Sequence, residues 1–180
     1  MKIKVLEKVP GCSPVIFAQG DWFDLATATE VVLMAPEAHK MHIRGKDKEH
    51  TGIRTREVDF DSCLIPLGVC IQVPKGYECI LMPRSSTFRK FGLMQTNSMG
   101  VIDQSYCGEE DEWKLPVVAT ENVVIPKGTR IAQFRIQLSQ KATRWQKIKW
   151  LFGTKPKLVH VTSLNNSTRG GFGSTDNNNQ

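Results

Sequence analysis

Short apolar runs separated by turn signals recur along most of this chain. Val31-Val32-Leu33-Met34, Cys63-Leu64-Ile65-Pro66-Leu67, Cys79-Ile80-Leu81-Met82 and Val117-Val118-Ala119 have the length and composition of strands. Ile131-Ala132-Gln133-Phe134-Arg135-Ile136-Gln137-Leu138 alternates apolar and polar residues, as a strand with one buried face does. Met1 to Leu6 alternates in the same way. Between the runs stand Pro10-Gly11, Pro74-Lys75-Gly76 and Pro126-Lys127-Gly128, all turn formers. Many short strands with regular turns predict an all-β barrel or jelly roll.

Two segments break the pattern. Residues 36–59 are polar and charged and predict an extended hairpin or surface loop. No aromatic interleaves with the charges there, so a solvated excursion is favoured over a nucleic-acid surface. The second segment is 143–153. Thr143 and Gln146 have capping-box spacing, and Gly153 suits a helix stop. Trp145, Ile148 and Phe152 (or Leu151) share one helical face and predict a short helix over 143–152, docked by that face on the surface. Membrane-surface or partner binding is the competing reading of that helix.

Composition narrows the class. The chain has 180 residues, 40% hydrophobic and 23% charged, enough for one soluble domain with a real core. No apolar run approaches the ~18 residues of a membrane span. The N-terminus has neither a continuous apolar stretch nor a small-residue cleavage site, so no signal peptide is expected. Five cysteines, without a C-x-x-C pair, argue against a zinc site or a disulfide framework and for reduced thiols in the cytoplasm. A net charge of +6 suits an anionic ligand without choosing among nucleotide, nucleic acid and simple solubility.

The most specific string is Asn97-Ser98-Met99-Gly100-Val101-Ile102-Asp103-Gln104-Ser105-Tyr106-Cys107-Gly108. A carboxylate and an aromatic ring three residues apart, framed by glycines, can be aimed into one pocket by a tight turn. Four further strings accompany it: Gly20-Asp21-Trp22-Phe23-Asp24-Leu25, Pro83-Arg84-Ser85-Ser86, Pro126 to Gln133, and Arg169-Gly170-Gly171-Phe172-Gly173-Ser174-Thr175. Together, and in this order, they resemble the five motifs of the trimeric deoxyuridine triphosphatases (dUTPases), in a bacterial or phage-like form.

The resemblance implies a jelly-roll homotrimer with shared sites that hydrolyses dUTP to dUMP and pyrophosphate. Such an enzyme keeps uracil out of DNA and supplies dUMP for dTMP synthesis. By the same match Asp103 activates water and contacts the sugar 3′-hydroxyl, and Tyr106 packs under deoxyribose. Asn97 and Gly100 shape the pocket, and Phe172 stacks over uracil. Arg84, Ser85, Ser86, Gln133, Arg169, Ser174 and Thr175 bind phosphates. Asp24 holds Mg²⁺ through water. The residues Glu109 to Pro116 correspond to the second arm of a hairpin that reads uracil through backbone groups. No nucleic-acid or membrane partner is implied. The division is a β-domain over 1–165 and a mobile C-terminal motif with a disordered tail over 166–180.

Three departures stand out. Trp22 replaces a common glycine, Arg169 precedes Phe172 by three residues where five is usual, and Asp176 replaces the usual final glycine of the fifth motif. A dCTP deaminase-like enzyme remains an alternative through Glu109, Glu110 or Glu112, although its T-L-E string is absent and Tyr106 favours the dUTPase branch. A dUTPase scaffold with an added protein-binding role, carried by the two insertions, is the other.

Overall fold

The computed structural model describes residues 1–44, 53–153 and 155–171. In chain order the elements are β1 (Lys2–Glu7), β2 (Val15–Ile16), β3 (Phe23–Ala26), β4 (Val31–Leu33), β5 (Glu37–Arg44), β6 (Ile53–Asp59), β7 (Ser62–Pro66), β8 (Val69–Gln72) and β9 (Tyr77–Pro83). There follow α1 (Thr87–Phe91), β10 (Leu93–Gln95), β11 (Gly100–Ile102), β12 (Lys114–Ala119), β13 (Val123–Ile125), β14 (Arg130–Leu138), α2 (Arg144–Leu151) and β15 (Lys157–Val161). The fold is mostly β, as the period-two patterning requires.

Each predicted strand lies where its apolar run does. In β14, Ile131, Phe134 and Ile136 are buried while Gln133 and Arg135 are more open. In β1, Ile3 and Val5 are buried between exposed Lys2 and Lys4. The two Pro-Lys-Gly strings make the same turn: Gly76 and Gly128 have φ of 83° and 81°, and Tyr77 and Thr129 donate to the carbonyls of Pro74 and Pro126. A left-handed residue there favours glycine over any side chain.

A five-stranded sheet ordered β11-β9-β14-β3-β2 forms the largest layer. A three-stranded sheet β10-β12-β7 and a second, β15-β1-β8, complete the enclosure, with the β13-β4 and β5-β6 pairs beside them. The core between the layers centres on Phe134, stacked on Phe23 at 5.1 Å and met edge-on by Trp113 at 5.0 Å. Trp113, Phe134, Leu81 and Leu115 are almost wholly buried.

Within 36–59 the structure shows the antiparallel pair β5-β6; residues 45–52 lie outside the described residues. The helix α2 forms with its capping box: Gln146 N–H donates to Thr143 Oγ1, and Thr143 N–H donates to Gln146 Oε1. Its docking face is not the predicted one. Trp145, Leu151 and Phe152 are 73%, 81% and 82% exposed. The helix is instead held by Trp150, which packs on Tyr77 at 5.7 Å, and by Gln146 Nε2, which donates to the Lys75 carbonyl at 2.6 Å. The apolar stripe of α2 therefore faces outward. No helix among the described residues is long and apolar enough to cross a membrane.

A second expectation also fails. The segment from Asp103 to Trp113 does not join two arms of one hairpin. β11 pairs with β9 in the five-stranded sheet, whereas β12 pairs with β7 and β10 in the other sheet. The chain crosses between layers here, and the crossing opens a cleft.

Candidate active site

The cleft lies where β11 and β12 part. It has a volume of about 230 Å³, and its lining includes Asn97, Gly100 and Asp103 on one side, Trp113 and Lys114 on the other. Gly100 sits opposite Leu81 in the β11-β9 ladder, where an added Cβ would lie 3.2 Å from Leu81 Cβ. β11 is the edge strand of its sheet. Its outer backbone donors and acceptors are left without a strand partner among the described residues, and such groups must find one elsewhere. Ser98 takes up a positive φ of 57° in the turn leading into β11. Asn97 accepts a hydrogen bond from Gln95 Nε2 at 2.7 Å, which orients its amide at the cleft rim.

Asp103 and Tyr106 are the ends of one tight turn, closed by Tyr106 N–H donating to the Asp103 carbonyl at 3.2 Å. This is why the three-residue spacing matters: it sets carboxylate and ring side by side. Ser105 N–H donates to Asp103 Oδ1 at 2.7 Å, and the Ser105 hydroxyl bonds the same oxygen. Arg169 Nη1 reaches Asp103 Oδ2 at 3.0 Å. Partial burial pushes the Asp103 carboxyl up, but the Ser105 hydrogen bonds and the Arg169 charge outweigh it and hold the group below the ordinary carboxylate range. Burial and the nearby Asp111 charge push the Tyr106 phenol up to about 12. It therefore stays protonated and donates to the Glu112 carbonyl at 3.0 Å.

A second cluster forms around β14, flanked by β9 and β3. Gln133 stands opposite Met82 on one side and Asp24 on the other, so three of the motifs meet because their strands are neighbours. Gln133 Nε2 donates to the Pro83 carbonyl at 3.1 Å. Arg84 N–H donates to the Ile131 carbonyl at 3.0 Å, and its Nε lies 3.0 Å from Asp24 Oδ2. That pair is close enough for strong attraction, yet it is not a hydrogen bond, and buried Asp24 Oδ2 has no hydrogen-bond partner. Ser85 is exposed, and Ser86 is half-buried at the start of α1. Trp22 packs instead under the Arg135 guanidinium, 5.7 Å from the ring centre.

The structure thus brings Asn97, Gly100, Asp103, Tyr106 and Arg169 to one cleft. It brings Asp24, Arg84, Ser85, Ser86 and Gln133 to another region, and none of these five lines the cleft. Arg169 stands with the first group. Phe172, Ser174 and Thr175 lie outside the described residues.

Sequence reasoning missed the work of the acidic run. Asp111 is fully buried and accepts from the backbone N–H groups of Gly108, Arg169 and Gly170. Glu109 accepts from Leu164 N–H at 3.2 Å and from the Ser163 hydroxyl. Glu112 accepts from Gly68 N–H at 2.9 Å, and Glu110 pairs with Lys8 at 2.7 Å. A dense acidic cluster beside one buried tryptophan was the available signal; its partners, far along the chain, carried none.

Among the described residues no group of three His, Cys, Asp or Glu side chains could hold a metal ion by itself. Asp24 Oδ2, ion-paired with Arg84 but without a hydrogen bond, is a single buried carboxylate oxygen. That donor set fits Mg²⁺, which keeps several waters and takes one or two carboxylates plus substrate phosphate oxygens.

Comparison with known proteins adds independent support. Residues 55–150 match the dUTPase family model. The SPbeta prophage-derived deoxyuridine 5′-triphosphate nucleotidohydrolase YosS of Bacillus subtilis is 39% identical over 157 residues, covering 87% of this chain and 84% of the relative. The deoxyuridine 5′-triphosphate nucleotidohydrolase of Rickettsia prowazekii is 32% identical, over 78% of this chain and 86% of its own. The fold is shared with the dUTPase of Streptococcus mutans, at a TM-score of 0.57 and 22% identity, over 77% of this chain and 95% of that one. It is also shared with a Staphylococcus bacteriophage 80alpha dUTPase variant, at a TM-score of 0.53 and 18% identity over 96% and 97% of the two chains. With the family model spanning more than half of its length and YosS aligned along most of it, this chain belongs to the dUTPase family.

Proposed function

We propose that the protein is a dUTP diphosphatase working as a jelly-roll homotrimer, with each active site assembled from more than one subunit. The observation that carries the composite site is the separation within one chain. The Asp103–Tyr106 turn lines a cleft that contains none of Asp24, Arg84, Ser85 or Gln133. A single chain offers a nucleoside cleft and a phosphate-binding surface apart from each other, and a neighbouring copy would supply the missing half.

In this reading the unpaired edge of β11 reads uracil through backbone groups. A rigid backbone rim rejects a thymine methyl by overlap and cytosine by leaving buried donors facing donors. Tyr106 packs under the sugar and excludes a 2′-hydroxyl. Asp103 accepts a proton from water as the water oxygen attacks the α-phosphorus. The bond between the α-phosphorus and its bridging oxygen to the β-phosphorus breaks, and pyrophosphate leaves with that oxygen. Because Asp103 is held below the ordinary carboxylate range, it is in the accepting form at neutral pH. Arg84, Ser85, Ser86 and Gln133 receive the phosphate chain, with Arg169, Phe172, Ser174 and Thr175 completing the site from the C-terminal motif. Mg²⁺, held by water to Asp24 and by the phosphates, would supply charge neutralisation and fix the triphosphate in one geometry.

Subunit mixing tests this. D103N and the S85A/Q133A double variant should each be nearly inactive alone. Unfolded and refolded together, they should regain dUTP hydrolysis, because mixed trimers then contain sites with both halves intact. Recovery no greater than the sum of the separate proteins would refute the composite site.

A further inference from the structure

Residues 163–171 run as a strap along the crossing segment 103–113, and the acidic run grips it. Asp111 does most of the gripping. Its carboxylate accepts from Gly108 N–H at 2.8 Å, from Arg169 N–H at 3.0 Å and from Gly170 N–H at 3.0 Å. The side chain is fully buried, and no cation is paired with it among the described residues. A carboxylate has acceptor capacity for all three donors, while an amide of the same shape has one oxygen and would turn an NH₂ toward another N–H.

The fit beneath the strap is equally close. A Cβ on Gly108 would lie 2.4 Å from Thr168 Cα, so the strap reaches Asp111 only across a glycine. At its end, Gly171 lies against the Tyr106 ring, where an added Cβ would stand 3.0 Å from Cε2.

We propose that Asp111 is a positioning residue for the hydrolysis. It pins the backbone of Arg169 and Gly170, and thereby holds the Arg169 guanidinium on Asp103. With Ser105 on Oδ1 and Arg169 on Oδ2, the Asp103 carboxylate is oriented from both sides. Releasing the strap leaves Asp103 with Ser105 alone, a base that is freer to rotate and more easily protonated. Near Asp103 stand also the Tyr106 phenol and the Cys107 thiol, both pushed up by burial and by the Asp111 charge, so both stay protonated and add no charge, while Lys114 lines the far side of the cleft. The inference rests on Asp103 being the water-activating base.

Three variants test it: D111N, which spoils acceptance of the three N–H groups; G108A, which crowds the strap without touching a polar side chain; and R169A. Each is first compared with the wild type for folded secondary structure and trimer size. Two readouts follow. In nucleotide-free protein, hydrogen exchange of residues 164–171 should be at least about tenfold faster in D111N and G108A. In turnover of dUTP, kcat/KM should fall by about tenfold or more, and the acid limb of its pH profile should move to higher pH, as R169A also makes it do. The D111N/R169A double variant should be no slower than R169A, because Asp111 acts through Arg169.

Unchanged exchange in both strap variants overturns the anchoring. Faster exchange with an unshifted pH profile, or full additivity of D111N with R169A, overturns the link to Asp103. A wild type silent on dUTP would refute the proposed activity instead, and the exchange readout would still judge the anchor.

Discussion

Removing the Arg84 guanidinium should destabilise this protein, and Asp24 explains why. The Asp24 side chain is 7% exposed, in a strand of the five-stranded sheet that is paired on both sides, with Arg84 Nε 3.0 Å from Oδ2. Arg84→Met keeps much of the aliphatic stem but strands the carboxylate. Leaving one member of a buried pair uncompensated costs about 3–5 kcal/mol. Arg84 is itself a third exposed, so water already screens the pair and the lower end applies, about 3 kcal/mol. For a chain of this size each kcal/mol moves the melting temperature by about 2–4 °C, which gives a drop of roughly 6–12 °C. The assay is a thermal melt at fixed protein concentration, since subunit association adds to the apparent stability. The double variant D24N/R84M should recover at least half of the loss, because the stranded charge is gone. An R84M melt within about 2 °C of the wild type, or a double variant no more stable than R84M, would show that the pair does not carry this weight.

Other predictions follow from the same geometry. D103N should lower kcat by about 10²–10⁴-fold while dUTP binding, measured by calorimetry, changes little, since the amide keeps the shape but cannot take a proton. The sign of the pH dependence is set by the lowered Asp103 value: the accepting form persists above the ordinary carboxylate range, and activity limited by this group is lost only as pH falls below it. A kcat/KM profile limited by a group titrating near neutrality would contradict that assignment. On α2, T143A should cost about 1 kcal/mol by loss of the cap. W150A should lower the melting temperature measurably, and W145A should leave it within about 0.5 kcal/mol of the wild type, the reverse of what a helix docked by its apolar stripe would show.

The α2 result shows where reading a sequence reaches its limit. Thr143 and Gln146 are close in the chain, so their cap was legible. Which face of the helix meets the fold depends on Tyr77 and Lys75, some seventy residues away, and on Trp150, which lies off the apolar stripe. The strands were legible because period-two patterning is local, as in β14. Their partners were not: β11 and β12 flank a turn like the arms of a hairpin, yet each pairs in a different sheet. The Asp103–Tyr106 turn could be seen in the spacing. The role of Asp111 could not, because a buried carboxylate satisfied by backbone N–H groups leaves no partner residue type to search for. The convergence of Asp24, Arg84 and Gln133 was anticipated only through family resemblance; the structure supplies the reason, three adjacent strands.

The most direct test of the central claim is pyrophosphate release with magnesium from dUTP, run beside dCTP, dTTP and UTP, with ammonia followed in the dCTP sample. The account predicts rapid release from dUTP, little from the other three and no ammonia. Equal turnover of UTP would contradict the role of Tyr106, ammonia from dCTP would place the chemistry in the deaminase branch, and silence on dUTP would contradict the account as a whole.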